Sequence, residues 1–105
     1  MSIRYYQIIL LFICFSAIYI SCSGGSGKSE KSEQIAGLWK QNCSICHGND
    51  GRLGVNGAKD LRLSELDLDS RMLVISNGRG KMIGFKNSLS VDQIKSLAQY
   101  TFTFK

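Results

Sequence analysis

The stretch Cys43-Ser44-Ile45-Cys46-His47 constrains this chain more than any other. Its Cys-x-x-Cys-His pattern is the attachment signal for a c-type haem. Each cysteine thiol can add across a haem vinyl group, giving two thioether bonds. Two intervening residues let a single helical turn present both sulfurs to one porphyrin edge. His47 follows directly, so its neutral imidazole can reach the iron as the proximal axial ligand. Two other readings of the cysteines are weaker. A zinc site needs two more ligands, and the chain has no second cysteine pair and only one histidine. A thioredoxin-like redox pair needs a βαβ setting, and no such pattern surrounds the motif.

At 105 residues the chain has room for one domain. Its four cysteines do not suggest a disulfide framework, because Cys14 lies in an apolar leader, Cys22 sits at the end of that leader, and Cys43 and Cys46 are assigned to haem. The net charge of +5 is mild and dispersed, with no Lys/Arg run, which argues against nucleic acid as a partner. A weak basic bias suits docking to an acidic partner.

Residues 1–21 read as a signal peptide, with Arg4 in a short n-region, an apolar run from Ile8 to Ile20 broken only by Ser16, and small residues after it. Cys22 looks like the lipid-acceptor cysteine of a bacterial lipoprotein. Residues 22–32, rich in Gly and Ser, read as a lipid-anchored flexible linker. On this reading the protein is exported and anchored to a membrane on its extracytoplasmic side, at the periplasmic face or cell surface. An uncleaved N-terminal anchor and a simple secreted protein are the alternatives.

Residues 33–105 form the expected domain. Glu33 to Asn42 reads as a first helix, with Ile35, Leu38 and Trp39 at helical spacing and Trp39 in the core. A close helix crossing would explain Gly37, and so would chance. Gly48, Gly51, Gly54 and Gly57 predict a tight loop on the proximal side, from which a backbone carbonyl accepts the His47 Nδ1 proton. One or two short helices fall between Leu61 and Asn77. Leu68, Met72 and Ile75 form one face there, Asp67 or Asp69 caps it, and Gly78 follows its end.

Iron held by four porphyrin nitrogens and His47 keeps one axial position, and no second histidine exists to fill it. Met82, in a glycine-rich loop, is the expected distal ligand. A thioether there favours ferrous iron and raises the potential. Met72 competes but lies on a helical stripe, and open or water-ligated iron is the third reading. Ser90 and Gln93 form a capping box for a final helix to about Thr103, with Val91, Ile94, Leu97, Ala98 and Thr101 on its buried side. The domain is small for a self-sufficient core. A buried haem would supply the missing apolar surface, and the haem-free chain is expected to be largely unfolded.

Taken together, Cys43-Ser44-Ile45-Cys46-His47-Gly48, Ala58-Lys59-Asp60-Leu61, Asn77-Gly78-Arg79-Gly80-Lys81-Met82 and the helix from Leu89 to Tyr100 resemble a small bacterial single-haem class I cytochrome c. The resemblance covers the whole domain. It implies an all-α fold with the N- and C-terminal helices crossing around a covalently bound haem c. By position it makes Cys43 and Cys46 the thioether cysteines, and His47 and Met82 the iron ligands. One departure stands out. A proline often follows the ligating methionine in that family, whereas Ile83 stands here and the chain has no proline. Proline would stiffen the loop, so the Met82–iron bond is expected to be easier to lose.

The expected function is one-electron transfer in a membrane-associated respiratory chain, with no small-molecule substrate. Its partners would be a quinol-oxidising complex and a terminal oxidase or reductase. The alternative is a small-gas sensor or ligand-binding module with a displaceable Met82. An enzyme is not expected, because the single histidine is already used.

Overall fold

The structure is a computed structural model and describes residue 4, residues 7–9 and residues 27–104. Cys14, Cys22 and the junction between leader and linker lie outside the described residues. From Gly27 onward the chain forms four α-helices: α1 (Gly27–Asn42), α2 (Ser44–His47), α3 (Leu68–Asn77) and α4 (Val91–Tyr100). Short 3-10 turns occur at Val55–Gly57, Leu61–Leu63 and Thr101–Thr103. Among the described residues there is no sheet, and a lone bridge pairs Arg79 with Met82. The expected all-α class is therefore observed, and α1 packs against α4.

α1 begins at Gly27, six residues before the expected start at Glu33. Glu30 sits in the first turn, where a negative charge favours the helix dipole. The residues before Ile35 are exposed, so local preference rather than packing extends the helix. Burial starts at Ile35 and recurs at Trp39 and Cys43, one residue per turn on a single face. That face meets Ile94, Leu97 and Ala98 of α4, and Ile75 of α3 and Phe85 complete the core. A Cβ at Gly37 would meet nothing within 4 Å, so no close crossing accounts for that glycine.

Local signals set the other helix ends. Asp67, rather than Asp69, caps α3 by accepting the Ser70 amide at 2.8 Å. Ser90 and Gln93 close the capping box of α4 at 3.2 and 2.9 Å. Val91 departs from expectation. It is 73% exposed, in a first turn where Ser90 and Asp92 are exposed too and burial begins only at Ile94.

The stripe Leu68, Met72 and Ile75 does face the core, with Ile75 buried and the other two half-buried against it. Arg71 lies on the same side and is also buried. Its guanidinium donates to the Leu66 carbonyl at 2.9 Å, the Ser64 carbonyl at 2.9 Å and Thr101 Oγ1 at 2.7 Å. It also lies 3.8 Å over the Phe102 ring. Burial lowers its pKa, and its hydrogen-bond acceptors are all neutral. Thr101 in turn donates to the Ala98 carbonyl at 2.6 Å. One side chain thus ties the loop before α3 to the end of α4.

Three outcomes follow for stability. Arg71→Met should cost about 2–3 kcal/mol in guanidinium unfolding of the haem-loaded protein, because it leaves the buried Thr101 hydroxyl and the half-buried Ser64 and Leu66 carbonyls without their donor. Gly37→Ala should stabilise by about 0.5–1 kcal/mol in the same assay, since the added methyl meets open space on a helix. Only eight apolar side chains are buried among the described residues, so the haem-free chain should give a weak helical circular dichroism signal and no cooperative melt.

Candidate functional site

α1 runs into α2 with a kink at Cys43, whose backbone stays in the right-handed region at φ −118° and ψ −38°. The Cys43 amide still bonds the Trp39 carbonyl at 2.9 Å, and the His47 amide bonds the Cys43 carbonyl at 3.0 Å. Cys43, Cys46 and His47 therefore share one helical turn that continues the core face of α1. Both thiols are free, with Cys43 buried and Cys46 half-buried. Burial pushes the Cys43 thiol up to about 11, which keeps it protonated at neutral pH. Among the described residues no three His, Cys, Asp or Glu side chains are grouped to hold a metal ion, so these two thiols and the imidazole do not make a zinc site by themselves.

His47 is half-buried, and that burial holds its imidazole below the usual histidine value, with the Lys59 backbone carbonyl, as an acceptor, pulling the other way. The Lys59 contact is loose, because Nδ1 is buried and makes no hydrogen bond of good geometry. The imidazole is neutral at neutral pH, the form that coordinates iron. A ligating histidine donates its other ring nitrogen to a carbonyl, and the unpartnered Nδ1 beside Lys59 suits that arrangement. Lys59 lies just past the glycine loop in which the acceptor was expected.

Trp39 fixes the turn that carries these groups. Its indole N–H donates to the Gly48 carbonyl at 3.0 Å, immediately after His47. Its ring packs against Phe104 at 4.8 Å, Tyr100 at 5.8 Å and His47 at 6.1 Å between centroids. Gly51 closes the proximal loop beneath it. Its φ is +81°, and a Cβ there would lie 2.8 Å from the Phe104 ring. The packing of the loop against the C-terminus thus requires glycine.

Met82 lies in the loop between α3 and α4. It is half-buried against the core cluster that contains Cys43, and so is Met72. Burial does not separate the two, but setting does, since Met72 belongs to the packing stripe of α3 and Met82 to a loop. Ile45, Leu53, Leu63 and Ile83 are exposed apolar side chains. Free thiols on one turn, a neutral imidazole with an orphaned nitrogen, and surplus apolar surface together fit a covalently held haem. Arg71 and the Lys59 carbonyl went unforeseen. The available signals were a charged residue in an apolar register for Arg71, and the Ala58-Lys59-Asp60-Leu61 motif for Lys59.

A family model described as "Cytochrome C oxidase, cbb3-type, subunit III" matches residues 30–100. The chain is 38% identical to a cytochrome c6 from Leptolyngbya boryana over 69 residues, which is 60% of this chain and 80% of that protein. It is 33% identical to a cytochrome c6 from Gloeothece citriformis over 102 residues, 90% of this chain and 86% of the relative. These relatives correct the expected location. Cytochromes c6 are soluble proteins and not membrane-anchored lipoproteins, so attachment through a lipid on Cys22 is not supported. No helix among the described residues is long and apolar enough to cross a membrane. The chain is an electron-transfer protein with a single covalently bound haem c and its iron, and it is not an enzyme. It belongs to the family of the matched model, as a small class I c-type cytochrome similar to cytochrome c6.

Proposed function

We propose that the protein carries single electrons between two redox proteins, with Cys43 and Cys46 as the thioether cysteines and His47 and Met82 as the axial ligands. The observation that carries this reading is the single helical turn holding two free thiols and a neutral imidazole whose Nδ1 has no partner. Bound haem supplies a one-electron Fe(III)/Fe(II) couple. The chain supplies the rest. The kinked helix would hold both sulfurs at one edge of a bound haem. Trp39 holds the Gly48 carbonyl just after His47, and the buried, unpartnered Nδ1 suits donation to a backbone carbonyl such as that of Lys59. The Met82 thioether favours the ferrous state.

Partners of suitable chemistry are a quinol-oxidising complex as donor and a terminal oxidase or reductase as acceptor. Asp50 with Arg52 and Asp60 with Arg62 pair within the chain. Arg79, Lys81 and Lys86 are exposed beside Met82 and take part in none of the ion pairs among the described residues. Their charge suits an acidic docking face.

The test is the optical spectrum of haem-loaded protein, oxidised and reduced, with and without carbon monoxide. A low-spin spectrum with the far-red Met–Fe(III) band is expected, lost in Met82→Ala and untouched by carbon monoxide. A high-spin ferrous form that binds carbon monoxide readily would overturn the carrier reading in favour of a ligand-binding one.

A further inference from the structure

The loop bearing Met82 is closed twice by its own backbone. At its base the Phe85 amide donates to the Ile75 carbonyl at 2.9 Å and the Lys86 amide to the Ser76 carbonyl at 3.1 Å. These bonds lay the chain after Met82 along the end of α3, and the Phe85 side chain is buried in the core beside them. At its tip Arg79 and Met82 exchange both amide-to-carbonyl bonds at 3.1 Å, around the pair Gly80-Lys81. Both backbone polar groups of Met82 are therefore engaged.

Between base and tip the two backbone runs touch. A Cβ on Gly84 would lie 2.6 Å from the Ser76 carbonyl oxygen and 2.6 Å from the Asn77 carbonyl carbon. A Cβ on Gly78, where φ is +77°, would lie 2.8 Å from the Gly84 nitrogen and 2.9 Å from the Ile83 carbonyl carbon. All of these are main-chain atoms held by helix or turn, so none can step aside as a side-chain end would. Gly84 has no positive φ, and its requirement for glycine is purely one of space.

We propose that Gly84 is a positioning residue for Met82. With Gly78 it lets the backbone of residues 82–84 seat directly on the end of α3. This latch, in place of a proline at position 83, keeps the thioether on iron in both redox states. A proline restrains such a loop by fixing one φ angle. Here four hydrogen bonds and two backbone contacts restrain the same segment, so Ile83 does not loosen the ligand. The inference rests on the reading of Met82 as distal ligand.

The experiment compares haem-loaded wild type, Gly84→Ala, Met82→Ala and, as a control in open space, Gly37→Ala. The readouts are the far-red Met–Fe(III) band as pH rises and carbon monoxide binding to the ferrous form. Gly84→Ala, with unchanged helical content, should lose the band about one pH unit lower than wild type, a roughly tenfold easier displacement. Its ferrous form should take up carbon monoxide where wild type does not, and Gly37→Ala should behave as wild type. An unchanged band midpoint in folded Gly84→Ala overturns the latch. Retention of the band in Met82→Ala overturns the ligand assignment instead, so the two failures are distinguishable. Amide exchange in wild type decides the matter if Gly84→Ala does not fold. The Met82, Phe85 and Lys86 amides should be protected alike in ferric and ferrous protein, and fast exchange at these sites in either state overturns the proposal.

Discussion

Trp39 is the contact on which the other parts of this fold depend. Its ring is the meeting point of α1, the end of α4 and the C-terminal Phe104, and its indole N–H reaches the carbonyl of Gly48. Two segments far apart in sequence, the end of α1 and the last residues of the chain, are thereby brought together beside the residue that follows His47. The apolar area of one tryptophan and one directed hydrogen bond act together, as this side chain allows. Because Gly51 lets Phe104 lie against the loop backbone, the proximal side is closed without a large core behind it. Tyr100 meets Phe104 edge-on at 5.3 Å, which completes the cluster.

The join between α3 and the end of α4 relies on polar contacts. Arg71 replaces what a larger domain would do with apolar packing, joining the loop before α3 to Thr101 through neutral acceptors and an aromatic face. A guanidinium without a carboxylate remains a buried positive charge, stabilised by charge-assisted hydrogen bonds rather than by an ion pair. The exposed pairs Asp50–Arg52 and Asp60–Arg62 are different. They shape local turns and contribute little to stability at such exposure. Their structural consequence is an uneven surface, with the proximal loop neutralised internally and the loop around Met82 left basic.

The latch proposed for the Met82 loop bears on the missing proline. Absence of proline after the methionine reads as a looser ligand when the loop is pictured alone. In the fold, the segment lies against the end of α3, where carbonyls of Ile75 and Ser76 accept its amides. The leader is a case of a pattern read alone. An apolar run ending in Ser21-Cys22-Ser23 matches a lipid-attachment pattern, yet similarity to cytochromes c6 speaks against anchoring. A short motif specifies a local chemistry and is weaker about where a whole protein resides.

By itself the sequence determined what depends on near neighbours. The all-α class, the two thiols and imidazole of one turn, the capping box at Ser90 and the cap at Asp67 all follow from residues within about one helical turn of each other. Helix spacing likewise placed Ile35, Trp39, Ile94, Leu97 and Ala98 in the core. Tertiary structure alone decided the burial of Arg71, the orphaned Nδ1 of His47 beside Lys59, the open space at Gly37, the exposure of Val91 and the backbone latch around Gly84. Each of these is set by atoms distant along the chain or by the limit of a neighbouring element. Periodicity reports which face a residue occupies, and only packing reports what that face meets.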